Sequence, residues 1–296
     1  MNFVNKQKYI FGSAGFGMPE YGFSSLNKPS SSNSYLNYLY SSGIRNIDTA
    51  PSYGQSEKKI GIFHQKNNFK FRIWTKVDGL VPNSNYMLDK IFLSAKKSIN
   101  NLNIDCLECL YLHQNEITIV EDKFIQKGLK DIKLSGLVKK VGVSVYNKLE
   151  LESVLTSDVY DVIQLPVSAV NTYLYDIARQ YNSQKILVGR SIFLQGALLN
   201  IENKKGFFNY YDEVAATVKS LKDLASSYKI DYLGMLLSYV NSLENLNHII
   251  ISSKNRDNLD AIQQQIEIKL CDKIKLEINK ISNNQNIWTN PRNWLS

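Results

Sequence analysis

Eight short apolar runs, separated by amphipathic stretches long enough for a crossover helix, recur along this 296-residue chain. Strands that alternate with helices pair in parallel, because each helix carries the chain back across one face of the sheet. The runs fall at residues 9–14, 45–48, 71–76, 107–112, 138–144, 162–165, 186–189 and 249–251. Eight such strands close a sheet on itself, and the length suits one domain of that kind. The reading is an α/β fold, a (β/α)8 TIM barrel, occupying residues 1–296 as a single domain with a helical C-terminal segment. Met87, Leu88, Ile91, Phe92, Ala95 and Ile99 recur at helical spacing, as do Val214, Val218, Leu221, Leu224 and Ala225. These stripes face a core and carry no chemistry. Residues 255–264 and 267–281 also read as helices, and 30–34 as a serine-rich helix start. No linker divides the chain.

Composition narrows the partners. Hydrophobic residues at 44% and charged residues at 21% are ordinary for a globule able to bury a large core. No run of about 18 apolar residues spans a membrane. The first residues lack the apolar core of a secretory signal, so a cytoplasmic address is expected. A net charge of +8 raises the question of nucleic acid. The lysines are spread over helix faces, as at Lys96–Lys97, Lys139–Lys140 and Lys204–Lys205, with no basic block interleaved with aromatics, so nucleic-acid binding is not expected. Three cysteines make no disulfide framework. Cys106 and Cys109 have C-x-x-C spacing but fall in an expected strand, where residues three apart point to opposite faces, and no second ligand pair lies nearby. They read as small apolar strand residues, and no metal is expected.

In barrels of this kind the active site lies at the C-terminal ends of the strands. Asp48, Lys76 and His113 each close an apolar run, and Tyr53 lies on the loop after the first of them. Alone, each has an ordinary role: a helix cap, a surface lysine, a structural histidine, a loop aromatic. Gathered at one rim, an acid, an amine, an imidazole and a phenol can move a proton. His64 and His248 have no comparable context and read as structural.

The phrase Asp48-Thr-Ala followed by Tyr53-Gly, with Thr75-Lys76, Leu110-Tyr-Leu-His113, Val141-Gly-Val-Ser144, Gln164-Leu-Pro166 and Gly189-Arg190-Ser191, resembles the aldo-keto reductases over nearly the whole chain. The Arg190–Gly196 wording is most similar to bacterial members. The resemblance implies reduction of a small aldehyde or ketone, sugar derivatives included, with Tyr53 as proton donor and NADP(H) as cofactor in preference to NAD(H). A tyrosine is a weak acid, with an ordinary pKa of about 10. An adjacent Lys76 ammonium, held by Asp48, is expected to lower it. His113 would orient the substrate oxygen.

Carried over from the family, Ser144 and Gln164 would hold the nicotinamide carboxamide. Arg190, with Ser191 beside it, stands where most members have an aromatic stacked on the ring, and a planar guanidinium can take that place. Ser252, Ser253, Lys254, Arg256 and Asn258, at the start of an expected helix, would bind the adenosine 2′-phosphate. Two further positions depart from the family: Asn258 replaces an arginine, and Val145 replaces an asparagine. Gly12-Ser-Ala-Gly15-Phe-Gly17 is glycine-rich but does not match the dinucleotide-binding fingerprint of doubly wound folds.

Two other functions fit parts of the pattern. One is a cofactor-binding sensor or regulatory subunit without turnover. The other is a Schiff-base lyase using Lys76, which leaves the Asp48–Tyr53 phrase unexplained. The stretch 192–211, with Phe207, Phe208, Tyr210 and Tyr211, is expected to fold over the cofactor or line the substrate site. The short segment after His113 suggests an open, polar pocket. Trp288 and Trp294 are expected to pack structurally rather than reach the pocket. The oligomeric state is left open by the sequence.

Overall fold

Hydrogen bonds join the eight runs into a closed parallel barrel in chain order, with β8 pairing back onto β1. The structure is a computed structural model describing residues 8–18, 32–181, 184–203, 209–253, 255–266, 268–282 and 287–294. The strands are β1 Tyr9–Gly12, β2 Asn46–Asp48, β3 Arg72–Val77, β4 Cys109–Leu112, β5 Val141–Ser144, β6 Val162–Pro166, β7 Ile186–Arg190 and β8 Leu246–Ile251. Helices such as Ser56–Lys66, Met87–Leu102 and Lys123–Leu134 connect successive strands, and Arg256–Gln265 and Asp272–Ile281 follow β8. None of the helices described is long and apolar enough to cross a membrane.

All eight expected strands form, with shifted ends. The runs 107–112 and 138–144 pair fully only from Cys109 and Val141, because Leu107 and Val138 make just an isolated bridge to each other. Cys109 is therefore in β4 and Cys106 precedes it, which corrects the placement of both in one strand. The last strand begins earlier than its apolar run, at Leu246. There the exposed Asn247 takes a ladder role with its side chain, accepting a hydrogen bond from the Leu187 N–H at 2.8 Å. The helix expected over 267–281 starts only at Asp272, after Cys271 in extended conformation. Asn255 caps the helix before it, its side chain accepting from the Asn258 N–H.

Side chains alternate inward and outward along each strand. Ile10, Trp74, Cys109, Tyr111, Val162 and Val188 point inward and fill the barrel as a cluster separate from the main core. Trp74 anchors it, donating from Nε1 to Asn46 Oδ1 at 3.2 Å, with its ring edge-to-face on His248. Gly142 has the same parity, and a Cβ there would sit 2.9 Å from the Tyr111 ring and 2.5 Å from the Val162 carbonyl. The plug is packed to the point where one β-carbon has no room. The outward side chains meet the ring of helices in the larger core.

Candidate active site

Moving two residues past each plug position brings the same parity to the mouth of the barrel. From β2, β3, β4, β5, β6, β7 and β8 this gives Asp48, Lys76, His113, Ser144, Gln164, Arg190 and Ser252. All seven line one cavity of about 540 Å³, together with Tyr53.

The Asp48–Glu57 stretch is held from beneath. Ser13 Oγ donates to the Asp48 carbonyl at 2.9 Å and lies 2.8 Å from Ser56 Oγ, which also accepts from Thr49 Oγ1 at 3.1 Å. Buried Glu57 accepts from Thr75 Oγ1 on β3 at 2.9 Å and from Asn101 at 3.2 Å. The glycine-rich stretch after β1 has a packing role here. A Cβ on Gly17 would lie 1.5 Å from the Tyr53 carbonyl oxygen, so only glycine lets the two segments touch. The phrase thus fixes a loop, and the loop fixes Tyr53.

Lys76 is buried. Its Nζ donates to Asp48 Oδ1 at 2.7 Å and to the Thr49 carbonyl at 2.9 Å, and lies 4.8 Å from the centre of the Tyr53 ring. Gln164 Nε2 donates to the other Asp48 oxygen at 2.9 Å, so both carboxylate oxygens are engaged. Burial opposes the ammonium, but Asp48 and Tyr53 outweigh it and hold the Lys76 pKa above its ordinary value. Lys76 is therefore a permanent cation under the phenol.

The expected lowering of the Tyr53 pKa is corrected. Burial raises it more than Lys76 lowers it, Asp48 adds to the rise, and the phenol stays above its ordinary value. Lys76 limits the rise instead of reversing it, and Tyr53 is held in the protonated form that a donor needs. His113 stands edge-on to Tyr53, ring centres 6.3 Å apart, and its Nδ1 is 2.7 Å from Asp78 Oδ1. With Nδ1 engaged by a carboxylate, Nε2 is the nitrogen left for a ligand.

Ser144, Gln164, Arg190, Ser191, Ser252, Ser253 and Asn258 all line the cavity. Arg256 is turned away: its guanidinium donates to the carbonyl and hydroxyl of Ser34 and lies over Tyr38. Lys254 lies outside the described residues. The first half of the 192–211 stretch borders the cavity through Ile192, Phe193, Gln195, Gly196, Leu199 and Asn200, while Phe207 and Phe208 lie outside the described residues. Ser191, Leu194 and Gln195 have φ of 60°, 47° and 54°, a left-handed backbone that side chains other than glycine adopt at a cost. Such strain concentrates at ligand sites.

Several residues at the mouth were not singled out in the sequence. Asp78 follows β3 and Asn115 follows β4. Tyr146 follows β5 and lines the cavity, as does Arg292 from the C-terminal segment. Trp288 and Trp294 are buried beneath that segment, the Trp294 indole donating to the Trp288 carbonyl at 2.7 Å, and they do not line the cavity. Arg292 was legible only as the one charged side chain after residue 281.

The Aldo/keto reductase family model matches residues 8–283. D-arabinose 1-dehydrogenase of Saccharomyces cerevisiae is 33% identical over 118 residues, covering 38% of this chain and 35% of that protein's length. A glycerol dehydrogenase from Gluconobacter oxydans has a similar structure, with a TM-score of 0.73 at 15% identity over 95% of this chain and 93% of that one. An aldo-keto reductase from Bacillus halodurans is similar in its holo form, with a TM-score of 0.70 at 19% identity over 85% and 86% of the two chains. At these identities the structural likeness speaks for the barrel alone.

Proposed function

The chain belongs to the aldo/keto reductase family, and from that premise we propose that it is a carbonyl oxidoreductase in which Tyr53 is the proton donor and NADP(H) the cofactor. The observation that carries the reading is the buried Lys76 ammonium, fixed by Asp48 and lying 4.8 Å from the Tyr53 ring centre. A cation placed there stabilises the phenolate that is left once the proton has gone to the substrate oxygen. Tyr53 thus starts protonated and ends as an anion beside a permanent positive charge.

The donor set of the cavity fits a nicotinamide cofactor. Gln164 commits its amide N–H to Asp48, and its carbonyl oxygen can accept from a carboxamide N–H. Ser144 supplies a hydroxyl, itself accepting from Arg190 Nε at 3.3 Å. Ser252 offers a hydroxyl, and the start of the Arg256–Gln265 helix offers backbone N–H groups, to anionic oxygens, while Ser253 donates its own proton to the Asn255 carbonyl at 2.7 Å. Arg256, though at that helix start, is turned to Ser34 and Tyr38, so the preference for NADP(H) over NAD(H) is carried by the family resemblance. The cofactor, when bound, supplies the hydride. Tyr53 and His113 together would hold the substrate oxygen, Tyr53 giving it a proton as negative charge develops. Free Cys106, Cys109 and Cys271 suit a reducing compartment, in keeping with a cytoplasmic enzyme.

Tyr53→Phe tests the assignment, because it keeps the ring and removes the proton. Turnover of a small aldehyde should fall at least about a hundredfold, the lower end of general-acid catalysis. NADPH affinity, read by fluorescence titration, should hold. Near-wild-type turnover in the variant would overturn the role of Tyr53.

A further inference from the structure

Two guanidinium groups in the cavity have no carboxylate partner among the described residues. Arg190 and Arg292 place their Cζ atoms 3.9 and 3.4 Å from the centre of the same Tyr146 ring. One face of a phenol has no room for two groups at that distance, so they lie on opposite faces. Arg190 is also tied to the Val145 carbonyl at 3.0 Å and to Ser144. Arg292 donates to Asn115 Oδ1 at 3.4 Å and is engaged by the Tyr146 phenol, yet the residue stays exposed where it lines the cavity. A guanidinium has five N–H donors, so most of those on Arg292 remain for a ligand. The carboxylates nearby are already used: Asp48 by Lys76 and Gln164, Asp78 by His113.

Barrel topology separates this charge from the cofactor's anionic end. Asn115 and Tyr146 follow β4 and β5, and His113 follows β4. Ser252, Ser253 and Asn258 follow β8, which lies across an eight-stranded barrel from β4. Arg292, held against Asn115 and Tyr146, therefore stands on the β4–β5 side of the cavity that His113 also lines.

We propose that the carbonyl substrate carries an anionic group, a carboxylate or a phosphate, and that Arg292 receives it. Tyr146 presents the guanidinium flat, and Arg190 adds positive potential from the other face of the ring. An Arg fork pairs with either anion through two parallel hydrogen bonds. Arg292 is thus a specificity residue, and the proposal rests on the oxidoreductase reading above.

The test compares kcat/KM, with NADPH, for two pairs: 4-oxobutanoate against butanal, and glyceraldehyde 3-phosphate against glyceraldehyde. At least one charged member should exceed its neutral partner by about tenfold or more, and which pair does so separates carboxylate from phosphate. Arg292→Gln should cut that ratio by about ten- to a hundredfold, and Arg292→Lys should restore part of it as a point charge. Calorimetric titration of the protein loaded with NADP+, which has no hydride to give, with 4-oxobutanoate and with inorganic phosphate reads binding apart from turnover. Binding that Arg292→Gln abolishes, without any turnover, would leave the inference standing and overturn the catalytic reading. Equal use of charged and neutral members in both pairs, or a ratio untouched by Arg292→Gln, would overturn the inference, as would binding of neither anion.

Discussion

Asp48→Asn isolates the electrostatic core of the site. The two side chains have nearly the same shape, so packing is preserved and charge is the variable. In the native barrel Asp48 accepts from Lys76 on one oxygen and from Gln164 on the other. Asparagine can accept on one side only, and its amide N–H2 would face a donor on the other. It also leaves the buried Lys76 ammonium without a counter-charge. Breaking one partner of a buried pair costs about 3–5 kcal/mol, a large share of the roughly 5–15 kcal/mol that holds a domain together. Lys76→Met should cost a comparable amount, by stranding the carboxylate. The double variant should recover much of the loss, because both charges leave together. Urea unfolding followed by tryptophan fluorescence would measure this cycle, with an expected coupling of at least about 2 kcal/mol. The pH dependence has a definite sign. The Lys76 pKa is raised above its unfolded value of 10.5, so this stabilisation is fully present below pH 10.5 and is lost only as pH climbs through the folded value. In Asp48→Asn that support is gone and burial lowers the Lys76 pKa, so the penalty should shrink as pH rises from 7 to 9 and the neutral amine becomes accessible. Additive single effects within about 0.5 kcal/mol would refute the pairing as the reason for the cost.

Other consequences follow from the same geometry. Gly17→Ala would drive a methyl into the Tyr53 carbonyl. It should cost about 1–3 kcal/mol in urea unfolding and lower kcat more than it changes NADPH affinity. Burial alone would raise the Tyr146 phenol, but Arg190, Arg292 and Lys76 outweigh it and bring its pKa below the ordinary value of 10. As pH rises through that lowered pKa, a phenolate forms between the two guanidiniums and repels a bound anion. KM for a charged carbonyl should then climb below pH 10, and Tyr146→Phe should flatten the rise. Because the Arg256 guanidinium is turned to Ser34 and Tyr38, Arg256→Ala should leave the preference for NADPH over NADH unchanged in paired fluorescence titrations.

The part of the site that was legible in the sequence obeys a single geometric rule. A buried strand reads as an apolar run, and its inward parity continues one step past the run's end. Asp48, Lys76, His113, Ser144, Gln164 and Arg190 are therefore polar residues at the one place where a barrel strand meets its cavity. Each could be read from its own segment, because strand, parity and terminus are all local. Strand starts were less legible: an apolar run does not say where continuous pairing begins, so Leu107 and Val138 look like strand residues although they form only an isolated bridge.

The remainder depends on where separate segments meet. Asp78 is two residues past Lys76, but its contact with His113 exists only because β3 and β4 are neighbours. The sign of the Tyr53 shift needed the depth of its surroundings, which no spacing encodes, and there burial outweighed the cation. Arg292 is the extreme case. Nothing around it is periodic, and its path to the β4–β5 side of the mouth is set by two buried tryptophans on either side of it. The sequence shows a lone charge between them, and in the fold Trp288 and Trp294 are buried while Arg292 stays exposed at the rim, with no carboxylate among the described residues to satisfy it. A cation kept that way has lost little by waiting, since solvent still reaches it, and it gains most when an anion arrives with the carbonyl. The catalytic corner of the barrel could be written in local motifs because the same chemistry serves any carbonyl. Under the proposed role of Arg292, recognition of one substrate class is written in a tertiary contact, where a short terminal segment can change without disturbing the strands.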